Sequence, residues 1–308
     1  MLSLFTTAKP FRGHINVIQR NALRSWKRLH PDIEIILFGD DEGSAEIARE
    51  FGIRHMPQVR RSESNVILLD DMFAQVQTIA RHDTLCYVNC DIILLQDFRR
   101  AVERVKASHA KFLMIGRRWD TDITEPIDFH QPDAEERLRR LAQETGTMRG
   151  PDCIDYFVYP KSLYSSVPAF AVGRLWWDQW LVWKALECKQ PVIDASPVAV
   201  AVHQNHDYNH HPQGWQGVWR GPEPQRNLEL AGGRSHLRMI DDAESLLCGN
   251  GERRNWKRFW ARHWRALRPK VVPVWFAFLR LTRPLRKYLG LRSVPSDSTP
   301  SRAQSSSK

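Results

Sequence analysis

Two hydrophobic rhythms alternate along the first two-thirds of the chain. Short runs that are apolar on both sides read as buried strands: LSLF at 2–5, IEIILF at 33–38, LCYVNCDIILL at 85–95, FLMI at 112–115, IDYFVY at 154–159, VID at 192–194 and VAVAV at 198–202. Between them, apolar residues recur at helical spacing. Ile15, Ile18, Ala22, Trp26 and Leu29 form one such face, stopped at Pro31, and Ala45, Ile47, Ala48 and Phe51 form another, closed by Gly52. Further helices are predicted at 72–80, around Phe98, Ala101, Val102 and Val105, near 133–144, and at 174–186 with Trp176, Trp177, Trp180 and Trp183. Strand–helix alternation of this kind predicts an α/β fold, a mainly parallel sheet with helices on both faces. Residues 119–150 are polar and acidic around Asp120, Asp122 and Asp128, and are expected to be a flexible insertion at the sheet's edge.

After Gly232-Gly233 the apolar density falls, and the chain is expected to divide into an α/β domain at 1–250, a basic Trp-rich helical tail at 251–292 and a disordered Ser/Pro-rich end at 293–308. In the tail, Trp256, Trp260, Trp264 and Leu267 share one helical face, with Arg253, Arg254, Lys257, Arg258, Arg262, Arg265 and Arg268 around it.

Charge sharpens this division. The 308 residues carry a formal net charge of +10, but 252–308 hold 15 Lys/Arg against 2 Asp/Glu, a net +13, while 1–251 come to −3. The high isoelectric point is a property of the tail, so nucleic acid is not an expected partner of the body. The tail suits an anionic membrane surface at 253–292, or simply packs its Trp stripe on the domain with a solvated cationic face. No apolar run approaches the roughly 20 residues of a membrane-spanning helix, and no signal-peptide core opens the sequence. The five cysteines include no CxxC pair and fit reduced core thiols. A cytoplasmic protein, peripheral on the inner face of the membrane if the tail binds lipid, is the expected localisation.

Three segments carry candidate chemistry. Asn89 and Asp91 interrupt an apolar run, where a carboxylate is costly unless it is paired or holds a cation. Two oxygen ligands leaving a sheet at its C-terminal edge suit Mn2+ or Mg2+ and a phosphate. A buried Asp capping the next turn would look the same. His203, His206 and His210 follow an apolar strand and could complete such a site, or could decorate a solvated loop. Asp178 stands among Trp176, Trp177 and Trp180, a setting for a general base beside sugar-stacking rings or, equally, an acidic helix start over a core. Asp152 and Asp155 form a further carboxylate pair.

Taken in order, FTTAKPF (5–11), Gln19-x-Asn21-Ala22-x-x-Ser25-Trp26, IILFGDDEG (35–43), YVNCDIIL (87–94), DYFVYPK (155–161), GRLWWDQWLVWKAL (173–186), PVIDASPVAVAVHQNHDYNH (191–210) and GPEPQRNLELAGG (221–233) resemble a bacterial group of GT-A fold glycosyltransferases, the nucleotide-diphospho-sugar transferases, over roughly 2–247. The resemblance implies a GT-A, Rossmann-like sheet and a transfer of sugar from a nucleoside-diphosphate donor to an acceptor hydroxyl on a glycan or lipid-linked molecule, with inversion. It implies Mn2+ or Mg2+ on Asn89, Asp91 and His203, with Asn89 standing where the family pattern has a first Asp. It places the nucleotide-sugar at Thr6, Thr7, Lys9, Phe38, Gly39, Asp40 and His206, the base at Asp178, and acceptor or sugar contacts at Asp155, Tyr156 and Trp177. The chain departs from the pattern at 64–68, where Ser64-Asn65-Val66-Ile67-Leu68 replaces a Gly-Thr-Pro-Leu-like segment, so donor contacts there are not carried over. The competing readings are another sugar-nucleotide metal enzyme, either a hydrolase or a nucleotidyltransferase, and a non-catalytic membrane or nucleic-acid binder driven by the tail. A nucleotidyltransferase is disfavoured because TTAKPFRG makes a poor phosphate loop.

Overall fold

A computed structural model of the chain describes residues 1–206, 221–256 and 258. Two compact units divide the chain, Met1–Arg258 and Phe259–Lys308, and the first is the body described here.

The body begins as the hydrophobic rhythm predicts. Strands β1 (Ser3–Thr7), β2 (Glu34–Phe38) and β3 (Arg54–Met56) alternate with helices α1 (Gly13–Leu29) and α2 (Ser44–Phe51). Gly52 closes α2 in the left-handed conformation, with its N–H bonded back to the last turn. Helix α3 (Leu69–Ile79) returns the chain to β4 (Thr84–Val88), parallel to β1. Helix α4 (Gln96–Ser108), β6 (Leu113–Ile115), β9 (Tyr156–Pro160), helix α6 (Trp177–Glu187) and β10 (Val192–Asp194) extend the sheet. Helix α7 (Pro222–Leu230) precedes a closing hairpin of β12 (Ser245–Cys248) and β13 (Gly251–Arg254).

The nine strands lie in the order β13-β12-β10-β6-β9-β4-β1-β2-β3. The fold is therefore the expected α/β class with a mainly parallel sheet: β9 runs antiparallel to both neighbours, β13 is antiparallel at one edge, and the other pairings are parallel. Strand parity assigns side chains to the two faces. Phe5, Ile36, Tyr87, Leu113 and Phe157 meet α3 and α6 on one side. Leu4, Ile35, Cys86, Met114 and Val158 meet α1, α2 and α4 on the other.

Three expectations change. The 85–95 run is two strands rather than one, because the chain turns at 89–91 and β5 (Ile92–Leu94) joins a second sheet. Residues 119–150 are an ordered part of that sheet rather than a flexible insertion. Strand β7 (Arg118–Thr121), helix α5 (Ala134–Glu144) and β8 (Thr147–Met148) build a four-stranded layer, β5-β11-β7-β8, with β11 (Ala201–Gln204) in its middle. This layer has its own core, in which Phe129, Leu138 and Ala142 cover Ile93, Leu95, Val200 and Val202.

At the C-terminal boundary, Arg253 and Arg254 belong to a strand paired with β12, not to a helix, so the body extends past the expected 250. The Trp260–Trp264–Leu267 face, the run at 271–281 and the end at 293–308 lie outside the described residues. Among the described residues, no helix is long and apolar enough to cross a membrane.

Candidate active site

Where β4 ends the chain passes from the large sheet to the second one, and the 89–91 turn lies at the C-terminal end of β4. This is the edge at which open α/β sheets bind ligands. Sheet register then assembles a cluster from distant segments. In the second sheet His203 pairs with Ile92 on one side, next to Asp91, and with Asp120 on the other. Asp91 Oδ2 lies 3.2 Å from His206 Nε2 and 3.8 Å from His203 Nε2. Lys9 Nζ, from the turn after β1, lies 3.0 Å from His206 Nε2. Asp91, His203 and His206 offer ligand atoms that all fall within 4.8 Å of one another. His210 and the rest of the 207–220 segment lie outside the described residues.

The supports of this cluster are polar residues of the motif string. Gln204 is fully buried and donates to the Asp91 carbonyl at 3.1 Å from its side chain and at 3.2 Å from its backbone. Asn21 donates to Gln204 Oε1 at 3.0 Å, Ser25 Oγ accepts from the Leu94 N–H, and Trp26 Nε1 donates to the Ile92 carbonyl at 2.9 Å. Gln19 grips the backbone of Lys9 with two bonds, accepting from its N–H at 2.7 Å and donating to its carbonyl at 2.8 Å. One face of α1 thus satisfies the otherwise unpaired backbone of β5 and of the Lys9 turn.

The electrostatics fit a cation. Burial alone would push the Asp91 carboxyl up, but the hydrogen bond to His206 and the charges of His203 and Lys9 outweigh it and hold the group well below the usual carboxylate range. Among the described residues Asp91 Oδ1 is buried without a hydrogen-bond partner, which fits a carboxylate oxygen meant for a divalent ion. One carboxylate with two imidazoles fits Mn2+ better than Mg2+, which favours all-oxygen ligation.

Asn89 is held elsewhere. Its amide donates to Asp155 Oδ1 at 2.7 Å and its oxygen accepts from Tyr87 at 3.0 Å. Asp155 is buried and takes both its oxygens to Arg118 Nη1 at 2.9 Å, so it is a structural anchor rather than a free sugar contact. Tyr156 packs edge-on against Phe98 in the core, and Trp177 packs against Tyr87 and Phe157; both are buried, which removes their rings from sugar stacking. Phe38 is likewise a core residue. Gly39 is left-handed there, and Asp40 is exposed and paired with Arg61 at 2.7 Å. Asp40 and Arg61 line a cavity of about 740 Å³ with Met56, Gln58 and Gln75. Thr6 is buried at the end of β1 and Thr7 is half-buried beside it.

Asp178 opens α6 one residue after Trp177, and no described side chain hydrogen-bonds to its carboxylate. Burial pushes this carboxyl up to about 7, helped by the charges of Asp155 and Asp152 and opposed by the N–H groups of Gln179 and of Asp178 itself. Trp176, immediately before the helix, is left-handed at φ 86°, a conformation that costs a non-glycine residue energy and gathers at functional sites. The loop that leads into α6 is tied down from α7: Asn227 bonds to Ala171 through both the Ala171 N–H and carbonyl and to the Leu175 carbonyl, and Glu223 pairs with Arg174 at 2.8 Å.

No family model matches the sequence, and no curated protein matches it. Among solved structures, it is similar to glucosyl-3-phosphoglycerate synthase from Mycobacterium tuberculosis in complex with Mg2+ and uridine diphosphate. That likeness is 14% identical, covers 76% of this chain and 80% of that one, and has a TM-score of 0.44. It is also similar to S. aureus TarS 1–349, at 8% identity, 67% of this chain, 58% of that one and a TM-score of 0.39. At this distance the chemistry rests on the chain's own residues.

Proposed function

We propose that the protein is a metal-dependent glycosyltransferase that moves a sugar from a nucleoside-diphosphate donor to the hydroxyl of a glycan or lipid-linked acceptor. The observation that carries this reading is the convergence of Asp91, His203 and His206 at the strand ends, with Lys9 touching the cluster and a separate carboxylate of raised pKa at Asp178.

The two carboxylates divide the work as pairs in acid–base enzymes do, one kept ionised and one poised near neutrality. Asp91, His203 and His206 would hold Mn2+ or Mg2+, which when bound would supply Lewis-acid neutralisation of the charge growing on the departing diphosphate. Lys9 adds a fixed positive charge for the same phosphates. Asp178 takes the proton from the acceptor oxygen as that oxygen forms its bond to the anomeric carbon and the bond to the diphosphate breaks. Attack on the face opposite the leaving group gives inversion. The turn at Gly39 and Asp40 receives the nucleoside.

A thermal-shift panel of uridine-, guanosine- and thymidine-diphosphate sugars, each with and without Mn2+, tests the reading. At least one donor is expected to raise the melting temperature only with the metal. No metal-dependent shift with any donor would overturn it. Release of free sugar at full rate without acceptor would replace transfer by hydrolysis.

A further inference from the structure

Asp120 was part of the acidic segment expected to be flexible, yet the structure brings it to the far side of His203. The parallel register of β7 and β11 sets the two residues opposite each other, and Asp120 Oδ1 lies 3.1 Å from His203 Nδ1. This ring nitrogen is buried and makes no hydrogen bond of good geometry with any described residue, Asp120 included. The two groups are within hydrogen-bond distance, and what the contact lacks is alignment rather than proximity. Asp120 is itself fixed, receiving Arg118 Nε at 2.8 Å and facing Arg149 Nε at 3.3 Å. Arg118 reaches Asp155 through Nη1 and Asp120 through Nε, so the Asp120 carboxylate faces both the guanidinium and the His203 ring.

We infer that Asp120 is the positioning residue of the cation site: its carboxylate keeps the proton of His203 on Nδ1 and so turns the lone pair of Nε2 toward Asp91. This rests on the cation reading of the cluster. The physical basis is general. A ligating imidazole that donates its other N–H to a carboxylate is locked in tautomer and orientation and becomes a better donor to the metal.

The experiment measures Mn2+ binding to the full chain by electron paramagnetic resonance, without donor or acceptor, for the wild-type protein, Asp120→Ala and Asp120→Asn. In parallel, the tautomer of His203 is read in the metal-free proteins from the nitrogen shifts of the imidazole. The wild-type ring is expected to carry its proton on Nδ1, and Asp120→Ala is expected to lose that preference and to bind Mn2+ about 10- to 100-fold more weakly. Asp120→Asn keeps an acceptor but no charge, so it should fall between, and it serves if Asp120→Ala does not fold. Wild-type affinity in both variants, or an unchanged tautomer, would overturn the inference alone. Failure of the wild-type chain to bind Mn2+ would overturn it together with the cation reading.

Discussion

Asn89 donates its side-chain amide to Asp155 Oδ1 at 2.7 Å, and its backbone N–H to the Asp155 carbonyl at 3.0 Å. The residue that occupies the first position of the motif is therefore a tie between β4 and β9, not an open ligand. Asn89→Asp would restore a second acid to the motif but set it against Asp155. Loss of the amide donor with like-charge repulsion should cost about 1–3 kcal/mol, or several degrees in melting temperature for a domain of this size. Mn2+ affinity should not rise. A thermal melt at neutral pH checks this, and an unchanged or higher midpoint would show that the tie is dispensable.

Asp178 has a carboxyl raised to about 7 in the folded protein, against about 3.9 in an unfolded chain. Between those values the native state binds the extra proton, so its stability falls as pH rises through that window and stays lower above it. Asp178→Asn removes the cost. It should be more stable than wild type at pH 8 by about 1–3 kcal/mol and equal to it near pH 4. The same variant should lose about 10²- to 10⁴-fold in transfer rate while keeping donor binding. Wild-type transfer should rise with pH through about 7, as a base must be ionised to act. Denaturant melts and rates at both pH values check the two effects together.

Lys9 touches His206 where a cation would also draw on that imidazole. Lys9→Met should therefore separate two affinities. Mn2+ alone should bind more tightly, because an ammonium no longer competes for the ligand, and the nucleoside diphosphate should bind about tenfold more weakly, because a phosphate contact is lost. Titration calorimetry with Mn2+, then with nucleoside diphosphate at saturating Mn2+, measures both. A loss of both affinities would make Lys9 a support of the cluster instead.

Tyr156 is buried with a hydroxyl that finds no partner among the described residues. Tyr156→Phe should leave transfer unchanged and raise stability by about 1 kcal/mol, whereas a residue touching sugar would lose activity. The same hydroxyl lies where a Cβ on Gly116 would stand, only 2.0 Å away. Gly116→Ala should accordingly be poorly tolerated, and more so than Tyr156→Phe, in a melt of the two variants.

The elements of the large sheet were legible because each strand is apolar on both faces and each helix has one apolar stripe. Asp91 and the two histidines were legible too, as polar groups placed at strand ends. What escaped was whatever depends on pairing across long stretches of chain. The second sheet has strands of two to four residues, and β11 meets its partners β5 and β7 from roughly eighty or more residues away, so no local rhythm announces them. Asp120 was accordingly read as part of an acidic loop. The burial of Trp177, Tyr156 and Phe38 was not legible for a different reason: a ring that faces a ligand and a core ring look alike in a sequence, and only burial separates them.

The antiparallel pairing of Ile92 with His203 also sets an order of events. Asp91 leaves the ribosome long before His203, and neither can hold a cation until β11 has docked beside β5. A chain ended before β11 has the carboxylate but not the imidazoles, and no amount of metal should rescue it. On the proposed cation reading, the appearance of Mn2+ binding during synthesis or refolding would be a clock for the closing of the second sheet, whose pairings span long stretches of chain.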